Sequence, residues 1–197
     1  MRWIVVDGID GSGKTTHANW IREYYERRGE STEIYLHPSS RLIGRLSRKS
    51  LQGSGKAMQV LAGTFFILDV LNSLRIMRHQ VGKYDNIVFV RYIMATAYLP
   101  SWLAMTGYTF FRKLLPLPKR LLLVDIEPEV AFRRISARME KMEMFEDIPH
   151  LTGIREKILS LADPSWKVVD NSFSDMESRS RLEEILVYWD SANRGSR

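Results

Sequence analysis

The sequence predicts an α/β fold in which helices cover both faces of a mostly parallel sheet. Two observations lead there. Short apolar runs rich in β-branched residues recur along the 197 residues, and the longer segments between them carry helical spacing. A third locates function within such a fold: a glycine-rich turn follows the first apolar run directly, and open parallel sheets hold ligands beyond the carboxyl ends of their strands.

Taken in order, the strand candidates are Trp3 to Asp7, Glu33 to Leu36, Asn86 to Val90, Arg120 to Ile126 and Lys167 to Val169. After the first, Ala18, Ile21 and Tyr25 recur at helical spacing while Arg22, Glu23, Glu26 and Arg27 face away, and Gly29 supplies a stop. The stretch Ala57 to Met77 approaches membrane-spanning length but carries Gln59, Asp69, Asn72 and Arg75, so it reads as a buried helix and no membrane partner is expected. No internal repeat, low-complexity tract or linker divides the chain, which reads as a single domain over 1–197 with a frayed tail at Asn193 to Arg197.

Composition narrows the classes. Apolar residues make up 45% of the chain and aromatic ones 11%, ample for a packed core. Cysteine is absent, which removes disulfide frameworks, thiolate zinc sites and thiol nucleophiles and fits a reducing compartment. The start, Met1 to Asp7, has too short an apolar run for a signal peptide, so a cytoplasmic location is expected. The net charge of +6 suits nucleic acid, an acidic lipid surface or a phosphate-rich substrate, and charge alone does not choose among them. Its cations are interleaved with acids, as in Arg22-Glu23 and Arg155-Glu156-Lys157, which reads as solvated surface. With no recognised module besides, nucleic-acid binding is not expected.

Gly8-Ile9-Asp10-Gly11-Ser12-Gly13-Lys14-Thr15 satisfies the phosphate-loop pattern G-x-x-x-x-G-K-[ST], with an apolar strand before it and a helical pattern after it. The glycines let successive N–H groups converge on phosphate oxygens. Lys14 brings a charge to the β/γ region, and Thr15 supplies a hydroxyl for Mg²⁺. ATP with Mg²⁺ is the expected donor. A second Gly-Ser-Gly-Lys at Gly53 to Lys56 serves as an internal control, because no strand precedes it and Ala57 stands where a hydroxyl is needed. It reads as a helix-to-helix connection.

A guanine-binding switch would carry Asn-Lys-x-Asp, and no Asn-Lys pair occurs. Leu121 to Val124 followed by Asp125 has the form of a strand ending in a Mg²⁺-holding acid, which keeps an ATPase in view. The stretch Arg133 to Lys141 favours a kinase instead: Arg134 and Arg138 fall at i and i+4 on one helical face, placed to close over phosphates. The alternative for this stretch is a solvated helix of mixed charge. Phosphoryl transfer needs positioning and charge neutralisation more than a covalent nucleophile. The four histidines, His17, His37, His79 and His150, show no metal-ligand spacing and are assigned surface or hydrogen-bonding roles.

Asp7 through the phosphate loop to Thr15-Thr16, then Val90-Arg91-Tyr92, the arginine stretch and Glu143-Met144-Phe145-Glu146 occur in the order found in thymidylate kinases, which the chain resembles over nearly its whole length. Pro128-Glu129, Leu151, Arg155-Glu156 and Leu159 through Ala162 add to the resemblance. It implies transfer of the ATP γ-phosphate to a nucleoside monophosphate, dTMP foremost, on a three-layer fold with a five-stranded parallel sheet and a short helical lid at about 133–148, commonly as a homodimer.

The resemblance also implies roles. Gly8, Gly11, Ser12, Gly13, Lys14, Thr15 and Thr16 hold ATP, and Asp10 lies near the metal and the acceptor sugar. Arg91 meets the phosphates together with Arg134 and Arg138. Phe66 is either the ring on which the acceptor base stacks or an ordinary core aromatic. Asp69 and Tyr98 belong to the acceptor site. Departures fall in that site: Val70 and Leu36 replace arginines, Val90 replaces an acid, and Leu99 stands where an amide is typical. Arg41 or Arg45 is the nearby substitute for a missing cation. Two alternatives follow, a kinase for a different phosphate-bearing acceptor and a nucleotide-binding protein that has lost its chemistry.

Overall fold

A computed structural model describes residues 1–53, 55–99, 101–137 and 147–194. Its centre is a parallel sheet of β1 (Arg2–Asp7), β2 (Thr32–Leu36), β3 (Asn86–Val90), β4 (Arg120–Asp125) and β5 (Trp166–Asp170), in the order β2-β3-β1-β4-β5. Each strand begins and ends within one residue of the run that predicts it. In the central strand Val6 lies opposite Val90 of β3 and Leu122 of β4. Ile4, Val5 and Val6 are fully buried, as a strand covered on both faces requires.

Alternation along β1 divides the interior into two cores. Ile4 and Val6 point to the face covered by α1 (Lys14–Glu26) and α7 (Asp175–Arg194), packing with Ala18, Ile21, Leu182 and Leu186. Val5 points to the opposite face, where Phe89, Leu121 and Leu123 meet Val70 and Leu74 of α3 (Lys56–His79) and Ile154 and Ile158 of α6 (Ile148–Leu161). Among the described residues the remaining α-helices are α2 (Leu42–Leu51), α4 (Ser101–Leu114) and α5 (Pro128–Ser136), with a short 3-10 helix at Met94–Tyr98. The second Gly-Ser-Gly-Lys does join two helices, α2 and α3. Of the expected lid, residues 138–146 lie outside the described residues, including Arg138 and Glu143 to Glu146; the flanking residues belong to the end of α5 and the start of α6.

One expectation needs correction. The helix over Ala57 to Met77 is buried on one face only. Ala62, Val70, Leu74 and Met77 enter the core, whereas Val60, Leu61, Leu68 and Leu71 are exposed. By length and composition Val60–His79 is apolar enough to span a membrane, yet only 33% of it is buried inside the molecule. The apolar residues on its outer side were read from the sequence as core because they have the same chemistry as those on its inner side. Helical periodicity is blurred when both faces are apolar.

The end of β1 is tied to the segment after β3 by one side chain. Asp7, 1% exposed, accepts hydrogen bonds from the backbone N–H groups of Tyr92, Ile93 and Met94 at 3.1 to 3.2 Å. These follow Arg91, whose backbone is left-handed at φ 59°, an uncommon state for a non-glycine residue that the surroundings must hold in place. Burial pushes the Asp7 carboxyl up to about 6, outweighing the three N–H groups and nearby Lys14, which act to lower it. A carboxyl raised on folding adds stability below its unfolded value of 3.8 and loses it as pH rises through about 6. Urea melts at pH 4, 5, 6 and 7 are therefore expected to show the unaltered protein losing about 3 kcal/mol relative to Asp7→Asn over that window. Parallel stability curves for the two proteins would remove the assignment.

Candidate active site

The phosphate loop leaves β1 at Gly8 and enters α1 at Lys14 with the geometry its sequence requires. Gly11 and Gly13 have φ of 75° and 89°. A Cβ on Gly11 would lie 2.6 Å from the Ala131 carbonyl of α5, and one on Gly13 would lie 2.5 Å from Nδ2 of Asn171, so both positions exclude side chains as well as disfavouring them by conformation. The loop is braced from behind: Asn171, just beyond β5, donates from Nδ2 to the Ser12 carbonyl at 2.8 Å. Among the described residues the fully buried Ser12 hydroxyl has no hydrogen-bond partner. Thr15 and Thr16 are exposed in the first turn of α1, so the Thr15 hydroxyl is open to a metal ion.

Beneath the loop Lys14 is buried. Its Nζ donates to the Ile9 carbonyl and lies 3.7 Å from Oδ1 of Asp10. Asp10 also receives Arg91 on Oδ1 and the Tyr98 hydroxyl on Oδ2 at 2.9 Å. Four residues from three parts of the sequence, Asp10, Lys14, Arg91 and Tyr98, thus meet in one cluster. Arg134 approaches from α5, with Nη1 3.7 Å from the position a Gly13 Cβ would take and Nη2 4.0 Å from Asp175. Its partner in the sequence reading, Arg138, lies outside the described residues.

Of the two roles expected for the histidines, His17 takes the hydrogen-bonding one, and it is buried. Nδ1 donates to the Gly13 carbonyl at 3.0 Å, and Nε2 accepts from the Ser178 hydroxyl at 2.9 Å. Burial, with Arg134 nearby, pushes the imidazole down to about 4, so it is neutral at pH 7 and joins α7 to the loop. Asp125 also departs from the metal-holding form. Arg155 of α6 grips it with both ends of the guanidinium fork, at 2.8 and 2.9 Å, and reaches Glu127 as well. That makes the end of β4 an anchor for α6.

Next to the phosphate loop a cavity of about 360 Å³ opens between the sheet ends and α2, α3 and α4. Asp10, Arg91 and Tyr98 line it from the sheet side, and Phe66 lines it from α3. Phe66 is also half-buried against the core, with its ring 6.3 Å from that of His37, so core packing and an open face coexist in one side chain.

Asp69 and Arg41 do not line this cavity. Asp69 is fully buried and accepts from the backbone and hydroxyl of Ser39, both at 2.6 Å. Arg41 turns back to Asp69 at 3.3 Å and to the Ser73 hydroxyl. This pair fixes the turn before α2. His37 joins it through Ser73 at 2.8 Å and is held neutral by burial. Val70 is buried on the core side and borders a smaller cavity of about 80 Å³.

The sequence reading names Asp7 and Arg155 as motif residues but not the contacts they make, and it does not name Asn171 at all. The partners of Arg155 and Asn171 lie far away in the chain, so no local pattern announces these bonds.

The comparisons with known proteins agree with this arrangement. The thymidylate kinase family model matches residues 6–181. The chain is 31% identical over 160 residues to the thymidylate kinase of Leptospira borgpetersenii, covering 78% of this chain and 77% of that protein. It is 27% identical over 178 residues to a probable thymidylate kinase of Methanosphaera stadtmanae, covering 85% and 87%. A solved thymidylate kinase structure from Candida albicans superposes with a TM-score of 0.73 over 96% of this chain and 92% of that one, at 20% identity, a likeness of fold. By the family-model match over most of its length, the chain belongs to the thymidylate kinase family.

Proposed function

We propose that the protein transfers the γ-phosphoryl group of ATP to the phosphate of a nucleoside monophosphate, dTMP foremost. The observation that carries this is the junction of the phosphate loop with the adjoining cavity, where Asp10 and Arg91 line the shared wall. ATP phosphates would lie against the loop N–H groups and Lys14, with Thr15 and Asp10 the residues placed to hold Mg²⁺. The metal ion would neutralise charge on the β- and γ-phosphates. An acceptor phosphate oxygen forms the new bond to the γ-phosphorus while the bond to the β-phosphate oxygen breaks and ADP departs. That oxygen is already anionic, so no general base is needed. Arg91 is placed to exchange Asp10 for the acceptor phosphate, and Arg134 to meet the transferring group. Arg138 is assigned with it as a second cation on its i+4 spacing from Arg134 and on the resemblance.

Assayed for ADP release against a panel of monophosphates, the protein is expected to turn over dTMP well above the no-acceptor background. Lys14→Ala should lower kcat about 100 to 1,000-fold, as removal of a preorganised donor to a developing charge does. Equal ADP release with and without every acceptor would refute the kinase reading. An unchanged rate in Lys14→Ala would refute the role of the loop.

The homodimer implied by the resemblance is part of this proposal. Val60, Leu61, Leu68 and Leu71 of α3 are exposed, as are Trp102, Met105, Phe110 and Leu114 of α4, and apolar side chains in such number suit a self-complementary interface. Sedimentation equilibrium should give twice the 22.9 kDa chain mass, shifting to the single chain in Leu71→Glu. A monomer at all concentrations would exclude it.

A further inference from the structure

The walls of the 360 Å³ cavity divide by chemistry. Its charged side chains, Asp7, Asp10 and Arg91, all come from the ends of β1 and β3 and the phosphate loop. The helical side offers Leu51, Val60, Phe66, Leu99 and Leu103. Among the described residues the polar side chain on that helical side is Ser47, and its hydroxyl is turned into the protein, donating to the Ala62 carbonyl at 3.0 Å. Tyr98, between the two sides, donates to Asp10.

The apolar wall is also held in place. Lys157 of α6 donates to the Leu99 carbonyl at 2.9 Å. The Leu99 side chain packs so closely on Gly107 that a Cβ there would approach it to 2.9 Å. A fixed wall of this kind recognises shape. In an apolar pocket one extra or missing methylene changes selection by only about 10 to 200-fold, whereas sites built on hydrogen bonds reject a ligand lacking the matching groups by about 10⁴ to 10⁵-fold.

We infer that this cavity selects its acceptor by the phosphate and by the shape of a flat apolar ring, without reading the hydrogen-bonding edge of a base. Its substrate class is then the monophosphates of ring-bearing sugars, including rings that have no hydrogen-bonding groups. The inference rests on the cavity being the acceptor site of the kinase proposed above.

The test compares dTMP with the 5′-monophosphate of the 2,4-difluorotoluene deoxyribonucleoside, which keeps the shape of thymidine and lacks its hydrogen-bonding edge. With the unaltered protein, ATP and Mg²⁺, kcat/KM for the isostere is expected within 100-fold of that for dTMP. A larger loss overturns the inference while leaving the kinase reading intact. If dTMP itself is not phosphorylated, the kinase reading fails and calorimetric binding of the two monophosphates decides the inference separately. Dissociation constants within 100-fold of each other support it. A wider gap, or no binding of either, overturns it.

Discussion

Positive charge converges on the carboxyl end of β1, and much of the surrounding structure serves to hold it there. The N-terminus of α1, a loop with two left-handed glycines, Lys14, Arg91 and Arg134 are gathered around that end. Without phosphate these groups repel one another. Asp10 lies between Lys14 and Arg91 and Asp175 lies beside Arg134, so each cation has a carboxylate near it. A donor set held in this way needs little reorganisation when charge develops on a transferring phosphoryl group, which is the largest contribution such a site makes to rate. Asp7 extends the same principle to the backbone, because its three N–H partners keep the residues after Arg91 in the turn that delivers the guanidinium.

The braces around this region come from every layer. Asn171 supports the loop from β5, His17 joins it to α7, and Arg155 locks α6 to the end of β4. Each brace is a hydrogen bond from a well-buried or forked side chain, and these interactions hold geometry more tightly than apolar contact does. Because α6 also carries Lys157, which grips the Leu99 carbonyl, one helix links the β4 end to the wall of the acceptor cavity. A displacement of α6 would therefore be felt at both the donor and acceptor sides.

What the sequence made legible follows from how far each signal reaches along the chain. The five strands and the phosphate loop are local patterns, a period of two or a fixed glycine spacing, and they appear in place to within a residue. The second Gly-Ser-Gly-Lys was separable from the first because a strand must deliver the chain to a phosphate loop and none precedes Gly53. The acceptor side was harder. Asp69 and Arg41 have the residue types of ligand-binding groups, yet their partners, Ser39 and Ser73, sit 30 and 32 residues away, and only the packed turn shows that they hold each other. The outer face of α3 was misread for a related reason, since composition does not state which of two apolar faces meets the core.

The two sides of the site also divide the work of recognition. Charge on the sheet side interacts most strongly with the group that becomes more negative during transfer, so binding energy there is expressed in the transition state. Apolar contact on the helical side acts equally on ground and transition states and orients the acceptor without accelerating the chemistry. In the proposed reaction the acceptor phosphate meets Arg91 in line with the donor, and the apolar residues around Phe66 would orient the ring that carries it.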